Sequence, residues 1–145
     1  MAIDFTLTRE QKEIQAQARD FSLEVLAPLA PKIDAEPDPY VGWQLAKPAY
    51  EEACRRGIAF SMLPKSYGGG GLSNVDFIIA AEEIQAVDPG FGTTVLVNGL
   101  GLMPVWYYGT EDQKERFIRG ATSDTTIFMI WARLYPKRFA AASFV

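Results

Sequence analysis

The residues of this chain whose types could do chemistry are few. Four consecutive glycines, Gly68 to Gly71, precede Leu72 and Ser73. Glycine lets several backbone N–H groups converge on an anion at a helix start, which is how phosphate loops work. A phosphate loop also needs a Gly-Lys-Ser/Thr ending, missing here, and no strand-glycine-helix dinucleotide fingerprint surrounds the run. The expectation is a tight turn. Glu82 and Glu83 are carboxylates adjacent in sequence, but neighbours on a helix do not face each other, so a shared-proton dyad is disfavoured and both are expected to be solvated or turned toward another domain. The single cysteine, Cys54, has no activating neighbour and reads as a structural thiol. One cysteine excludes an internal disulfide and a cysteine-rich metal site. The absence of histidine excludes Ser-His-Asp triads, Cys-His pairs and imidazole zinc sites within this chain.

A different kind of signal lies in GTTVLVNGLGLMPVWYY, residues 92–108, which has no charged side chain. Such a stretch is expected to be buried nearly all round or covered by a partner. As a helix pair lined by Thr93, Leu96, Val97, Leu100 and Met103 and thinned by Gly92, Gly99 and Gly101, it reads in two ways. One is simple core packing; the other is a slot between small and aliphatic residues wide enough for an alkyl chain.

The elements that must position these residues read as helices throughout. Thr8-Arg9-Glu10-Gln11 fits a capping box. Ile14, Ala18, Phe21 and Val25 then recur on one face of a helix that Pro28 and Pro31 kink or end. Residues 34–40 read as a loop because of Pro37 and Pro39. A second helix is expected with Pro48 in its first turn and Gly57 as its stop, sharing a face at Tyr50, Ala53 and Cys54. Residues 58–63 form a short apolar segment whose periodicity does not decide between an extended strip and a turn. Ser73 is a good N-cap, with Asp76 completing the first turn of a helix expected to bury Val75, Ile78, Ile79 and Ile84. Asp88-Pro89 signals the next helix start, Thr110 to Gln113 repeats the capping box, and Gly120 is expected to close the last short helix. No internal repeat, low-complexity segment or alternating-strand pattern is present, so the expected fold class is all-α.

Composition sets the outer bounds. With 145 residues, 48% of them apolar and 22% charged, the chain is long enough for one globular domain with its own core. Its 14 basic residues are outnumbered by 18 acidic ones, giving a net charge of −4, and they are scattered, so nucleic-acid binding is not expected. The opening MAIDFTLTRE lacks the apolar run of a secretory signal, and the run from Ile127 to Ala132 is far too short to span a membrane. No membrane association and a soluble, cytoplasmic location are the expectations.

Four segments in order resemble the N-terminal domain of acyl-CoA dehydrogenases: FTLTREQKEIQAQARDF, then GIAFSMLPKSYGGGGLS, then AAEEIQAVDP, then NGLGLMPVWYYGTEDQKERFI. The last is the most specific, through Asn98, Leu100, Gly101, Pro104, Gly109, Thr110, Gln113 and Lys114. The resemblance implies an orthogonal helical bundle over residues 1–120, followed by a divergent tail over 121–145 in place of the start of a middle β-domain. It implies a flavoprotein in which FAD lies between the middle and C-terminal domains, and in which a glutamate base from the C-terminal half removes the α-proton of an acyl-CoA thioester. The β-hydride passes to the flavin, and electrons leave through an electron-transferring flavoprotein. By position, the resemblance assigns the acyl-pocket wall to Gly92, Thr93, Leu96 and Leu100, and no catalytic, flavin-binding or metal-binding residue to this chain.

The Thr-Glu-Pro and Gly-Ser-Asp segment that the family carries after this domain is not found in ATSDTTIFMIWARLYPKRFAAASFV. The expectation is therefore a truncated or frame-altered product that binds no FAD and is inactive alone. Its expected associations are with copies of itself or with a flavin-bearing chain. Two other readings stand beside it: a non-catalytic helical subunit that docks on a separate flavin-bearing chain, with an uncovered apolar face around Trp43, Phe60, Trp106 and Tyr107, and a free-standing acyl- or lipid-binding bundle.

Overall fold

A computed structural model describes residues 6–123. Among them the secondary structure is helical, with no strand. The apolar run from Ile127, and with it most of the expected 121–145 tail, lies outside the described residues.

Helix α1, Arg9–Phe21, starts at the capping box read in the sequence: the Thr8 hydroxyl accepts from the Gln11 N–H at 3.2 Å, and the Gln11 side chain accepts from the Thr8 N–H at 3.0 Å. It passes into a π-helical turn, Ser22–Leu26, before Pro28. Phe21, Ser22 and Leu26 are buried there, and the Ser22 hydroxyl donates a hydrogen bond back to the Ala18 carbonyl. Helix α2 is a short segment, Ala30–Asp34.

Helix α3 spans Pro39–Arg55, so the expected loop through Tyr40 and the start near Pro48 are both corrected. Asp38 caps this helix by accepting from the N–H groups of Tyr40 and Val41, and Pro39 takes the first helical position, where a missing N–H costs nothing. Pro48 sits inside the helix instead. It is exposed, as is Gln44 one turn before it, so the carbonyl that loses its usual donor faces water. Gly57, at φ 75°, stops α3 as expected. Residues 58–63 form successive turns that bury Ala59, Phe60, Ser61 and Leu63.

Helix α4, Asn74–Gln85, begins at Ser73, whose hydroxyl accepts from the Asp76 N–H. It packs against α1 on one side and α5 on the other. Ile79, Ala81 and Ile84 are buried, but Val75 and Ile78 are 58% and 54% exposed, contrary to expectation. Apolar residues surround this helix almost completely, so periodicity could not choose its inner face; the two neighbouring helices do.

Helix α5 runs unbroken over Pro89–Tyr108, where a helix pair was expected. Gly99 and Gly101 cost helix propensity without a break, and Pro104 removes only the donor to the carbonyl of exposed Leu100. Helix α6, Glu111–Lys114, opens at the Thr110 capping box and continues through a π-helical turn, Glu115–Arg119, into α7, Gly120–Ser123. Gly120 thus does not close the helix. It keeps right-handed angles, φ −55° and ψ −45°, and Ile118 and Ala121 on either side are buried in the core. That core joins Phe21, Leu26, Ala49, Tyr50, Leu63, Ile84, Phe91, Val95 and Ile118. Among the described residues no helix is long and apolar enough to cross a membrane.

Candidate functional site

The site is built on α5. Its inner face buries Phe91, Gly92, Val95 and Gly99. Gly92 is where α4 comes nearest: a Cβ there would lie 2.5 Å from Gln85 Cγ. Gly99 plays the same part against Met62, whose sulfur would be 3.3 Å from an added Cβ. The inner face is also pinned by polar contacts. Asn98 Nδ2 donates to the Val95 carbonyl at 2.9 Å and to the Tyr50 hydroxyl at 3.2 Å. Burial raises the Tyr50 phenol well above its ordinary range, so it stays a neutral hydrogen-bonding group.

The outer face is apolar and uncovered by the described residues. Thr93, Val97, Leu100, Pro104, Tyr107 and Tyr108 follow one another at helical spacing and are exposed, Leu100 by 73% and Tyr108 by 90%. Leu96 is half-buried along its edge. Of the four residues assigned by resemblance, the structure thus brings Thr93, Leu96 and Leu100 onto one ridge and places Gly92 on the adjoining buried ridge. The Thr93 hydroxyl donates a hydrogen bond to the Pro89 carbonyl at 2.9 Å. The ridge carries no carboxylate, amine or thiol, so its chemistry is that of an apolar wall and not of proton transfer. Sequence reasoning named Val97 and Tyr107 but not Pro104 and Tyr108 as part of this face; the three- and four-residue spacing from Thr93 would have found them. Of the aromatic face expected around Trp43, Phe60, Trp106 and Tyr107, only Tyr107 is exposed; Phe60 is buried, and Trp43 and Trp106 are half-buried.

The glycine loop does not fit a flavin pyrophosphate or any other phosphate. Its N–H groups are committed internally: Gly68 to the Lys65 carbonyl, Gly69 to Pro64, Gly70 to Phe60, Gly71 to Leu63 and Leu72 to Ser61, at 2.8–3.1 Å. Gly68, at φ 87°, takes a left-handed conformation, and a Cβ on Gly69 would fall 2.1 Å from the Leu63 carbonyl oxygen. The loop is a packed turn. Tyr67 beside it donates to a Glu111 carboxylate oxygen at 2.6 Å, and the Thr122 hydroxyl donates to the Tyr67 carbonyl, so the loop is tied to α6 and α7.

Glu82 is exposed as expected, but Glu83 is not. Its side chain is 13% exposed and accepts two bonds from the Arg19 guanidinium at 2.8 Å and one from Gln15 at 2.9 Å. The Arg19 hydrogen bonds hold its carboxyl below the ordinary glutamate range. Glu83 thus latches α4 to α1. Cys54 is half-buried, and burial raises its thiol, in keeping with a structural thiol. No cluster able to hold a metal ion occurs among the described residues.

Residues 8–125 match the family model for the acyl-CoA dehydrogenase N-terminal domain. Nitroalkane oxidase of Fusarium oxysporum is 32% identical over 117 residues, covering 81% of this chain and 27% of that protein. A probable mitochondrial medium-chain specific acyl-CoA dehydrogenase of Caenorhabditis briggsae is 29% identical over 125 residues, covering 86% of this chain and 29% of that protein. The structure of butyryl-CoA dehydrogenase from Megasphaera elsdenii superposes with a TM-score of 0.66 at 29% identity, covering 83% of this chain and 31% of that one. The chain therefore spans less than a third of the length of these relatives. The match over most of its residues and the all-helical fold agree: the chain belongs to the acyl-CoA dehydrogenase family of flavoenzymes, of which it carries the N-terminal helical domain.

Proposed function

We propose that this domain forms one wall of the acyl cavity of an FAD-dependent enzyme that dehydrogenates acyl-CoA thioesters between Cα and Cβ. The observation that carries the reading is the apolar ridge of Thr93, Leu96 and Leu100 on a helix whose opposite face is locked into the core. A wall of this kind sorts substrates by the length and shape of their acyl chains, because each methylene accepted or refused changes transition-state binding by about 1–3 kcal/mol. The proton-abstracting base and the flavin site belong to other parts of such an enzyme, and the chain by itself is proposed to hold no flavin and to be inactive. The flavoprotein nitroalkane oxidase is similar over the same domain, so the acyl-CoA assignment rests on the dehydrogenase matches.

The test is a graft. Residues 92–103 of this chain replace the matching segment of a full-length acyl-CoA dehydrogenase, and kcat/KM is measured across acyl-CoAs of increasing length. A change of about tenfold or more in the ratio of long to short substrates is expected, reversed in part by Leu100→Ala in the graft. An unchanged length profile in a folded, flavin-loaded graft would sink the proposal. For the chain alone, the expectation is no flavin absorbance and no dye reduction with any acyl-CoA.

A second reading is favoured by the exposure of Leu100, Tyr107 and Tyr108: a helical subunit that docks this face on a separate flavin-bearing chain. It predicts co-purification with that flavoprotein, abolished by Tyr108→Asp. A chain that elutes alone from cells that make both would oppose it.

A further inference from the structure

One buried carboxylate lies apart from the α5 ridge and has only half of its bonding satisfied. Asp88 is 6% exposed. Its Oδ1 accepts the Phe91 N–H at 2.9 Å, capping α5. Its Oδ2 is the one buried side-chain polar atom among the described residues that has no hydrogen-bond partner. A buried carboxylate oxygen left in that state is costly and calls for a compensating donor.

Asp88 lines a cleft of about 280 Å³ between α2, α3 and the start of α5, together with Asp34, Glu36, Trp43, Phe91 and Thr94. Every ionisable side chain on that lining is acidic. The N-terminus of α5 opposes a cation there, but its field is equivalent to about half a positive charge, against three carboxylates. Aromatic side chains share the lining with the carboxylates, which suits a cation with an organic body better than a point charge. Trp43 and Phe91 supply the apolar and aromatic wall that the stem of such a cation needs. The volume, near the lower end of the roughly 300–1,000 Å³ usual for ligand sites, suits a short one.

We propose that this cleft binds a small alkylammonium or alkylguanidinium ion, with its head on the Asp88 carboxylate, its field reinforced by Asp34 and Glu36, and its stem against Trp43 and Phe91. The site is independent of the acyl-wall reading. The same chemistry can be presented by a free amine or by a lysine or arginine of a second copy of the chain.

The test uses the 145-residue chain, labelled with ¹⁵N and titrated with n-butylguanidinium, with n-butanol as the neutral control and magnesium chloride as the point-charge control. Saturable shifts at Phe91, Thr94 and the Trp43 side-chain N–H are expected with n-butylguanidinium only. Asp88→Asn is expected to weaken binding about tenfold or more, as loss of a charged hydrogen bond does, while the helix stays capped because asparagine serves as well as aspartate. Glu36→Gln, which keeps a side-chain oxygen for the Asp38 N–H, is expected to weaken it less. Sedimentation of the free chain separates the two sources: a dimer that n-butylguanidinium dissociates supports a cation donated by a second copy, and a monomer that binds it supports a free amine. Equal binding of butanol, preferential saturation by magnesium, unaltered affinity in folded Asp88→Asn, or no saturable shift at millimolar probe would each overturn the proposal.

Discussion

Replacing Gly69 by alanine tests whether the glycine run is a packed turn. A Cβ at this position would lie 2.1, 2.4 and 2.6 Å from the oxygen, carbonyl carbon and Cβ of Leu63. Two of these atoms are backbone and Leu63 is fully buried, so no side-chain rotation relieves the clash. The turn must move away from residues 60–65, which stretches the bonds from Gly69 to Pro64 and from Gly71 to Leu63. Overpacking costs about 1–3 kcal/mol and each weakened bond about 0.5–1.5 kcal/mol, while the stiffer unfolded chain returns about 0.4–1 kcal/mol. The net expectation is a loss of about 1–6 kcal/mol. Gly101→Ala is the control. Its Cβ would meet nothing within 4 Å, and alanine should stabilise an exposed helix interior by about 0.5–1 kcal/mol. Urea unfolding followed by circular dichroism reads both. If Gly69→Ala stays within about 0.5 kcal/mol of the parent, the typical range for a surface change, the packed-turn reasoning is wrong.

The register of α4 predicts that Ile84→Ala, at a fully buried site, costs about 2–5 kcal/mol, whereas Ile78→Ala, at a site 54% exposed, stays within about 0.5 kcal/mol; equal losses in denaturant unfolding would refute that register. Because Arg19 depresses the Glu83 carboxyl below its ordinary 4.5, the unfolded chain binds the proton more readily, so the latch stabilises the fold above that value and is lost as pH falls through the folded-state pKa. Stability measured from neutral to acidic pH should therefore fall less steeply below 4.5 in Glu83→Gln, and parallel curves would oppose the latch. Cys54 should react with iodoacetamide more slowly in the native chain than in denaturant at the same pH, since burial both hides the thiol and raises its pKa. Equal rates would mean that it is open to solvent.

Local chemistry was legible in the sequence wherever one side chain decides the outcome. Thr8, Ser73, Asp88 and Thr110 cap the helices assigned to them, because a hydroxyl or carboxylate next to the free N–H groups of a helix start acts without help from the rest of the fold. Asp38 carries the same information, but reading Pro37 and Pro39 as a loop and Pro48 as a first-turn residue puts the expected start in the wrong place. Gly120 misled for the opposite reason. A glycine ends a helix only when it turns left-handed, and the burial of Ile118 and Ala121 keeps this one right-handed. Glu83 was illegible because its partner, Arg19, is distant in sequence. The α5 ridge was half legible: the lack of charge marked the segment, while only the packing of Phe91, Val95 and Gly99 into the core showed which side is left over.

In the proposed function that leftover side is what joins fold to activity. A helix without a charged residue over 92–108 gains nothing from water on its exposed face, and Leu100, Tyr107 and Tyr108 together form a contiguous apolar strip of the sort that marks a contact surface. Burying the strip inward is not open to the domain, because Gly92 and Gly99 have already brought the opposite face against Gln85 and Met62, and rolling the helix would carry Asn98 away from the Tyr50 hydroxyl. Among the described residues nothing covers the strip, so it has to be satisfied from outside them. An acyl chain with further polypeptide around it, or the face of a flavin-bearing chain, both meet that physical demand. They differ in one respect that experiment reaches. A substrate wall makes Leu96 and Leu100 sensitive to acyl length, whereas a docking face makes Tyr107 and Tyr108 sensitive to the partner and indifferent to the substrate. Substitutions at the two ends of the same helix should thus separate into two classes if both roles are present, and behave alike if only one is.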